Sequence, residues 1–379
     1  MPTTELSQED AFCLNVLLAA GVQAVRIDTS TMTVHALTEK GEAKVKLHPN
    51  TREEAYLKLV KQTLAEHALD SPEGYPVYLR RWTRMGQMRD ENLEPLLKLG
   101  EPEAVVAVVH APGLTDEIAR RAWWAMPTLE NARCMLEKEA VARGQMGPIL
   151  AEFLVEHLPF EENVVAIMDT VRALLWFDLV DEAAQNKLWA RGKQHGAYYI
   201  AFLEQRPDRL PGQKRARCDY ATVHEKLAPL IEAGNPYAAQ IDRLLSGPGQ
   251  TFLAAVEEAM QRPGTHEIVS ALLNSVRSYF ATISLAQDKP REMHELAARA
   301  DALLADPDGP PTLRELAALL PDLESELRAM LTLAGVNEWV AYNILRRTTA
   351  VNALLRNKLA PVFEPIAQQI FVLRQLPGR

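Results

Sequence analysis

The sequence predicts a mainly α-helical protein, in which a small N-terminal α+β module with a short β-meander precedes a helical-repeat-like body of stacked antiparallel helix hairpins. Three strand-like runs lie within the first seventy residues, and almost no strand pattern follows residue 90. Helical segments with short connectors fill the remainder. A skeleton of twelve residues, L-x-D-E-x-A-x-x-x-x-W-A, also occurs twice, at residues 114–125 and 179–190.

Residues 1–72 form the predicted α+β module. Ser7 is in place to cap a short first helix, and a capping box at 51–54 opens a second one. Strand-like runs lie between them at 22–28, 31–37 and 43–48. Alternate apolar residues share one face in two of the runs: Met32, Val34 and Ala36, and Ala43, Val45 and Leu47. A tight turn at 38–41, which ends on a glycine, predicts that the last two runs form a hairpin.

Two helical blocks are predicted after the module. The first, 73–205, is a helical-repeat-like domain, and the second, 222–379, is a C-terminal helical domain. A linker or loop at 206–221, rich in proline and basic residues, separates them. Helices in the first block are expected at 92–99, 103–110, 115–125, 129–142, 147–157 and 163–180.

Capping boxes at Thr222 and Thr312 mark helix starts in the second block. A long helical run from Trp339 to Leu355 comes near its end. Pro361 and Pro365 are expected to interrupt this run, because a proline inside a helix lacks the backbone N–H and clashes with the preceding turn.

The repeated skeleton predicts a scaffold that binds other molecules. Its offset of 65 residues corresponds to about two helical hairpins of the kind found in stacked repeat proteins, where each unit covers its neighbour's apolar face. An acidic pair in each copy lies where a helix begins and offsets the helix dipole. The repeated tryptophans, Trp124 and Trp189, are interpreted as core residues rather than as ligand platforms.

Composition indicates a folded protein of two or three domains. With 379 residues, 47% of them hydrophobic and 24% charged, the chain is long enough for more than one core and too apolar for wholesale disorder. The formal net charge is -9 and the isoelectric point is about 5.6. Nucleic-acid binding would therefore require a local basic patch, since the chain has no global one.

The three cysteines are far apart, at Cys13, Cys134 and Cys218, and never form a C-x-x-C pair. This spacing encodes neither a disulfide framework nor a thiolate metal site, which is typical of proteins in a reducing cytoplasm. The N-terminal residues are polar and acidic, without the pattern of a signal peptide, and no apolar stretch is long enough to span a bilayer. The sequence therefore predicts a soluble, cytoplasmic protein.

No catalytic or cofactor motif is present in the sequence. Glycine-rich phosphate loops and the signatures of zinc proteases, serine hydrolases and kinases are all missing. The nine histidines lack ligand spacing, and His195 and the pair His266 and Glu267 are isolated. We therefore expect a protein that is not an enzyme and that carries no cofactor or metal.

Local basic stretches provide the candidate binding residues. Residues 74–89 contain no acid and place Arg80, Arg81 and Arg84 beside Trp82. Guanidinium groups next to a flat aromatic ring suit phosphate contact combined with base stacking, as in proteins that bind single strands. These four residues are the first candidates for nucleic-acid or phosphate contact.

Two further stretches are basic. Residues 206–217 supply Lys214, Arg215 and Arg217 as secondary candidates for phosphate contact. Residues 339–363 hold four basic residues, Arg356 among them, and no acid. The alternative interpretation is that all three stretches are solvated faces or pair with the surplus of carboxylates elsewhere in the chain.

Three runs near the N-terminus resemble a known family. They are RIDTSTMTVHALTEKGEAKVKLHPN (26–50), YPVYLRRWTRMGQ (75–87) and LGEPEAVVAVVHAPGLTDEIARRAWWAMP (99–127). These runs are similar to the DsrS family, accessory proteins encoded with the dissimilatory sulfur-oxidation machinery of sulfur bacteria. The resemblance covers residues up to about 130 and contains no functional motif. It implies a soluble cytoplasmic protein without known catalytic residues, connected with the expression or function of the reverse dissimilatory sulfite reductase system.

Three functional hypotheses follow. The first is a non-enzymatic cytoplasmic accessory or regulatory protein of dissimilatory sulfur oxidation that binds a macromolecule, such as RNA in post-transcriptional control. The second is a scaffold that binds sulfur-oxidation enzymes on the concave face of the helical stack. The third is an enzyme with a site that no motif reveals. The partner and the oligomeric state stay open, and no membrane association is expected.

If the first hypothesis holds through residues 74–89, replacing Arg80, Arg81 and Arg84 together with alanine should weaken RNA binding, because several phosphate contacts are lost. The affinity of the unchanged chain should fall steeply as the salt concentration rises, and that dependence should flatten in the triple variant. Filter binding at several salt concentrations measures both. Undiminished binding by the variant would contradict the RNA contact.

Overall fold

The computed structural model describes residues 5–69, 93–284 and 292–374. These residues form twenty α-helices and one three-stranded antiparallel sheet. The predicted class, mainly α with a small N-terminal α+β module, is therefore confirmed. The chain folds into two compact units, Met1–Phe160 and Glu161–Arg379.

The sheet of the first unit follows the predicted meander. Its strands are β1 (Val22–Asp28), β2 (Thr33–Thr38) and β3 (Gly41–Lys46), in the order β1-β2-β3. Val34 pairs with Val45 and Ala36 with Ala43 across β2 and β3, so the predicted hairpin and its apolar face are both present. Gly41 ends the turn with a φ of +116°, a backbone conformation that residues other than glycine rarely adopt.

Two long helices and the sheet share one core. Helix α1 (Gln8–Ala19) begins after Ser7, whose hydroxyl accepts from the Asp10 amide, as the sequence predicts. Helix α2 (Glu53–Leu69) contributes Tyr56 and Val60 to the same core. The unit continues with α3 (Leu93–Leu96), α4 (Pro102–His110), α5 (Asp116–Ala125), α6 (Leu129–Leu136), α7 (Glu139–Ala142) and α8 (Met146–His157).

A buried carboxylate joins three elements of this core. Asp10 is 1% exposed and accepts hydrogen bonds from the Tyr56 hydroxyl and, at 2.8 Å, from the backbone amide of His48. The His48 ring lies 3.1 Å away through Nδ1. Burial raises the pKa of Asp10, but the hydrogen bonds from Tyr56 and His48 outweigh burial, and the pKa lies below its usual value.

The described residues of the second unit form helices joined by loops, without a strand. Its helices are α9 (Val164–Trp176), α10 (Glu182–Gly192), α11 (Gly196–Gln205), α12 (Tyr220–Glu232), α13 (Pro236–Leu245), α14 (Gly247–Gln261), α15 (His266–Tyr279), α16 (Met293–Ala305), α17 (Pro311–Leu319), α18 (Glu324–Ala334), α19 (Trp339–Leu345) and α20 (Asn352–Arg374). Helix α11 is central: seven consecutive residues from Ala197 to Leu203 are buried, and it packs against α9, α10, α14 and α15. A helix that is apolar on all sides is typically buried among other helices, as α11 is.

Two predicted helices are shorter than expected. The helix expected at 129–142 breaks into α6 and α7, because its buried positions jump five residues from Leu136 to Val141. A continuous helix would turn those two side chains to different faces. The helix expected at 163–180 ends at Trp176, since Asp178 adopts a φ of +54° and the Leu179 amide bonds back to the Leu174 carbonyl, as in a helix C-cap.

The closing helix runs through both of its prolines. Pro361 and Pro365 lie inside α20, so the expectation that they interrupt the helix is wrong. Each internal proline costs about 3 kcal/mol. Seven buried side chains of α20 lie on both sides of the prolines, from Leu355 to Leu373, and each contributes about 1.5–3 kcal/mol. The predicted run from Trp339 instead breaks earlier, between α19 and Asn352, where φ is +53°.

The start of α12 also differs from its prediction. The helix begins at Tyr220, two residues before Thr222, and Asp219 occupies the N-cap position. The Asp219 carboxylate does not cap the helix, because it accepts two hydrogen bonds from Arg217. The helix predicted from the capping box at Thr312, α17, begins one residue earlier, at Pro311. Pro310 occupies its N-cap position, and no side chain makes a capping hydrogen bond there.

The boundary between the compact units lies between Phe160 and Glu161, whereas the sequence-based scheme places boundaries at 72, 205 and 221. Helices α9 to α11 belong with the C-terminal block because α11 packs against α14 and α15. The basic segment 206–219 is a loop within that unit: the Lys214 amide donates to Thr251 at 2.8 Å.

The two copies of the repeated skeleton are not equivalent in the structure. Asp116 in the first copy accepts from the amides that begin α8, whereas its counterpart Asp181 caps its own helix α10. Trp124 lies 4.7 Å from the Arg26 guanidinium, whereas Trp189 lies 4.3 Å from the Tyr199 ring. Both tryptophans are half-buried rather than core residues.

Within the described ranges, every helix falls short of the length and apolarity that crossing a membrane requires.

Replacing Asp10 with asparagine should lower the free energy of unfolding by about 2 kcal/mol at pH 7, because the charge-assisted hydrogen bonds from Tyr56 and the His48 amide give way to weaker, neutral ones. The folded pKa is depressed, so the carboxylate stabilises the fold above its unfolded pKa of about 3.9 and ceases to do so as the pH falls through the folded value. The difference between variant and wild type should therefore shrink in acid. Urea denaturation at several pH values measures it, with exposed Glu9→Gln as the control; a difference independent of pH would contradict the assignment.

Candidate functional site

Four helix starts meet at one cavity in the second unit. The cavity, named here the helix-start pocket, has a volume of about 430 Å³. The first residues of α9, α11 and α20 line it, together with the residue that precedes α15. Its polar lining comprises Gln194, His195, Gln261, Arg262, Thr265, Asn352 and Arg356, and its other residues are Val164, Gly196, Gly264, Ile268 and Ala353.

The backbone around the pocket adopts conformations that bring these starts together. Gly264 has a φ of +63° and Asn352 a φ of +53°, and the Asn352 amide donates to the Gly264 carbonyl at 2.8 Å. This bond ties the start of α20 to the start of α15. A left-handed backbone at a residue other than glycine carries a cost of order 1 kcal/mol, and such residues cluster at functional sites.

The helix starts differ in how they are capped. Asn163 caps α9 by accepting from the amides of Val165 and Ala166. His195 and Thr265 occupy the N-cap positions of α11 and α15, and neither side chain makes a capping hydrogen bond. The N-cap side chains of α11 and α15 therefore leave the first amides of these helices without a cap, although the Glu267 carboxylate lies against its own amide in α15.

Unpaired buried atoms are concentrated around the pocket. In the described ranges, five buried side-chain polar atoms lack a hydrogen-bond partner. Two of them belong to lining residues, Nδ1 of His195 and Oγ1 of Thr265, and a third, Nε2 of His266, belongs to the next residue along the chain. Each such atom costs about 1–3 kcal/mol, so a cluster of them indicates a place where a ligand can supply partners.

The charge around the pocket is positive. Arg262 and Arg356 are the charged residues of its lining, which contains no carboxylate. Each helix N-terminus adds about half a positive charge. A carboxylate, Glu267, lies just beyond the lining, where the nearby Thr265 hydroxyl and its own backbone amide lower its pKa. The lining itself is therefore positive, as an anion site requires, with one carboxylate at its edge.

His195 contributes a neutral ring to this site. Burial lowers the pKa of its imidazole below the usual value, because the charged form is poorly solvated there. A neutral imidazole carries one N–H donor and one acceptor nitrogen. The ring can therefore offer a donor to an anion without holding a charge of its own.

This arrangement is suited to binding an anion with an organic part. Backbone amides at helix starts and guanidinium groups are the donors that phosphate and carboxylate groups use in proteins. Val164 and Ile268 supply an apolar wall. The volume is within the range of small-molecule pockets, which is about 300–1,000 Å³.

A second cavity of about 490 Å³, named here the aromatic groove, contains one of the sequence-predicted residues. Lys214 and Lys193 line it, and neither makes an ion pair with the described part of the chain. The other groove residues are Trp189, Tyr199, Pro211, Gly212, Thr251, Ala254, Ala255, Glu257, Glu258, Gln261 and Arg374.

The carboxylates of the groove are already engaged. Glu257 pairs with Arg374, and Glu258 accepts from the Tyr199 hydroxyl at 3.2 Å. Burial and the Glu258 charge raise the pKa of Tyr199 to about 12, so its hydroxyl stays protonated. The Trp189 ring packs on Tyr199 and, edge to face at 5.3 Å between centroids, on Phe202. Trp189 is thus a rigid, half-exposed aromatic surface beside two ammonium groups.

The sequence-predicted contact residues fall into three groups. Arg80, Arg81, Trp82 and Arg84 lie outside the described residues. Lys214 and Arg215 are exposed, as a surface contact requires. Arg217 is buried, so the structure places the two halves of the basic loop in opposite environments.

Arg217 has a structural role. Its guanidinium, 2% exposed, lies 2.8 Å from Glu326 and 2.7 Å from Asp219, and the Glu326 side chain is 1% exposed. These contacts join the loop to α12 and α18 in the interior. This position does not suit the phosphate contact predicted for Arg217, because an anion would have to displace two carboxylates.

Sequence reasoning finds some pocket residues without assembling the site. Arg356 stands in the third basic stretch, and His195 is isolated in the sequence because it has no ligand spacing. Arg262, Thr265 and Asn352 carry no signal of their own. The usable cue is the glycine beside each N-cap residue, Gly196 next to His195 and Gly264 next to Thr265, because glycine often marks a break between helices.

Nucleophile and metal chemistry find little support in the described ranges. Cys134 and His110 approach to 3.4 Å in the first unit, but burial and the charges of two glutamates raise the pKa of the thiol. A raised pKa keeps the thiol protonated and unreactive. The described residues contain no group of three or more side chains placed to hold a metal.

Comparisons with models of known protein families, with curated proteins and with solved structures give no match.

Replacing Arg217 with alanine should lower the free energy of unfolding by about 3–5 kcal/mol, because Glu326 would remain buried without its partner. Arg215→Ala is the matched control: the same loop loses the same charge at an exposed position, and stability should change by less than about 0.5 kcal/mol. Urea denaturation measures both. Equal, small effects would contradict the buried role of Arg217.

Proposed function

We propose that this chain is a non-enzymatic binding protein that takes up a phosphorylated ligand in the helix-start pocket. The observation that carries the proposal is the meeting of four helix starts at a cavity lined by two arginines and no carboxylate. Anions are the ligands that such a field stabilises.

A phosphate group fits the donor set better than a carboxylate does. The donors surround the cavity from several helices and include Arg262 and Arg356. A phosphate monoester offers three terminal oxygens and nearly two negative charges, whereas a carboxylate offers two oxygens and one charge. The apolar wall at Val164 and Ile268 accommodates the organic part of the ligand.

The absence of an enzymatic role is part of the proposal. Its support is that the pocket brings no nucleophile and base together within the described residues. Thr265 is the hydroxyl of the lining, and the Nδ1 atom of His195 is not bonded to it. The pocket can hold and orient an anion, and we assign it binding.

The biological role proposed is accessory or regulatory. Its connection with dissimilatory sulfur oxidation is supported by the resemblance of the three runs in residues 26–127 to the DsrS family. A ligand-binding pocket suits a regulatory role for two reasons. A ligand that binds only the folded protein stabilises the folded state. A ligand that binds one conformation more tightly than another shifts the protein towards that conformation.

The pocket can be tested by isothermal titration calorimetry of the full chain with inorganic phosphate and with ribose 5-phosphate. Both should bind, the ester more tightly because it also contacts the apolar wall. Arg262→Ala and Arg356→Ala should each lower the affinity about tenfold or more, since a charge-assisted hydrogen bond contributes about 1.5–3 kcal/mol.

Arg347→Ala is the matched control, because it removes an equal charge from an exposed position just before α20 that does not line the pocket. Its affinity should equal that of the wild type. Absence of binding by either anion, or equal losses in all three variants, would refute the proposed site.

A further inference from the structure

We infer that the ligand is a nucleoside phosphate, whose phosphate occupies the helix-start pocket and whose base lies on Trp189 in the aromatic groove. The inference rests on the proposed function, because it needs the anion site. Beyond the anion site, it assigns a second subsite, the aromatic groove, and identifies the group attached to the phosphate as a nucleoside.

The two cavities are neighbours. Gln261 lines both of them. Lys193 of the groove directly precedes Gln194 of the pocket, and the Arg262 guanidinium donates to the Lys193 carbonyl at the junction. On α11, Tyr199 of the groove lies three residues after Gly196 of the pocket, less than one helical turn of about 5.4 Å. These shared and adjacent residues place the two cavities side by side, as a ligand that occupies both would require.

The charges assign each part of that molecule to one cavity. The pocket has two arginines, four helix starts and no carboxylate. The groove contains two carboxylates, Glu257 and Glu258, among its three basic residues, so its charge favours an anion less consistently than the carboxylate-free pocket does. The phosphate therefore belongs in the pocket, and the uncharged part of the ligand belongs in the groove.

The groove is built to hold a flat ring. Trp189 is half-exposed, and the buried rings of Tyr199 and Phe202 fix its orientation. A base stacked on an aromatic side chain gains about 1–3 kcal/mol. The exposed carboxylate of Glu258 can accept a hydrogen bond from an exocyclic amino group, and Lys193 and Lys214 can donate to ring nitrogens. A nucleobase combines these properties.

Two sources present the same chemistry, a free mononucleotide and the 5′-phosphorylated end of a single-stranded RNA. The volume of the pocket accommodates a terminal phosphate in both. AMP represents the free nucleotide in the test, and a 5′-phosphorylated RNA hexamer represents the strand end.

The test is calorimetry of the full chain with inorganic phosphate, ribose 5-phosphate, adenosine and AMP. AMP should bind about tenfold or more tightly than ribose 5-phosphate, because only AMP stacks on Trp189. Equal affinities for these two esters would overturn the inference and leave the proposed function intact. If none of the phosphorylated compounds binds, the proposed function fails as well. Adenosine binding as tightly as AMP would contradict the link between the two cavities.

Variants locate the base. Trp189→Leu should remove the advantage of AMP and leave the affinity for inorganic phosphate unchanged, whereas Trp189→Phe should retain most of the advantage because a ring remains. Trp176→Leu, at a position that is 70% exposed and lines neither cavity, is the control and should change nothing. Circular dichroism confirms that each variant is folded. Wild-type affinity for AMP in Trp189→Leu would overturn the placement of the base.

A pair of adenylate hexamers, one with a 5′-phosphate and one with a 5′-hydroxyl, separates the two sources. Tight binding of the phosphorylated hexamer alone supports the strand end, and tight binding of AMP without either hexamer supports the free nucleotide. Equal binding of both hexamers would contradict the terminal-phosphate assignment.

Discussion

Unpaired backbone amides at helix starts are the constraint around which the second unit is organised. A helix leaves its first amides without partners inside the helix, and a capping side chain can satisfy some of them. Helix α9 does so through Asn163, but the N-cap residues of α11 and α15, His195 and Thr265, do not. These starts and that of α20 face one cavity beside Arg262 and Arg356. An anion in that cavity would satisfy the amides, the guanidinium groups and the buried atoms of the two N-cap side chains at once.

The fold bears a cost for this arrangement. Asn352 is held in a left-handed conformation, and buried polar atoms of His195, Thr265 and His266 have no partner within the described ranges. Positive charges also accumulate where several helix dipoles already converge. The remainder of the unit offsets this cost, since α11 is enclosed by four helices and Arg217 joins its loop to Glu326 in the interior. Strained, unsatisfied groups that rest on a well-packed frame suit ligand binding, because the ligand then supplies the interactions that the protein itself does not make.

Local signals predicted the local parts of the structure well. The meander, the hairpin at Gly41 and the Ser7 cap follow from alternation, turn chemistry and capping, which act over a few residues. The pocket could not be predicted in this way, because Val164 and Asn352 are brought together by tertiary packing across most of the unit. The same limit explains Arg217, whose partner Glu326 stands 109 residues away. Propensity failed in α20, where burial along both halves of the helix outweighs two internal prolines.

The most direct test of the anion site is a crystal structure of the chain soaked with tungstate, a heavy tetrahedral oxyanion that replaces phosphate and scatters anomalously. Four converging helix starts predict an anomalous peak inside the helix-start pocket, within hydrogen-bond distance of the Gly196 amide and of the Arg262 or Arg356 guanidinium. A pocket without tungstate, in a crystal where the oxyanion binds only at surface lysines and arginines elsewhere, would contradict the site.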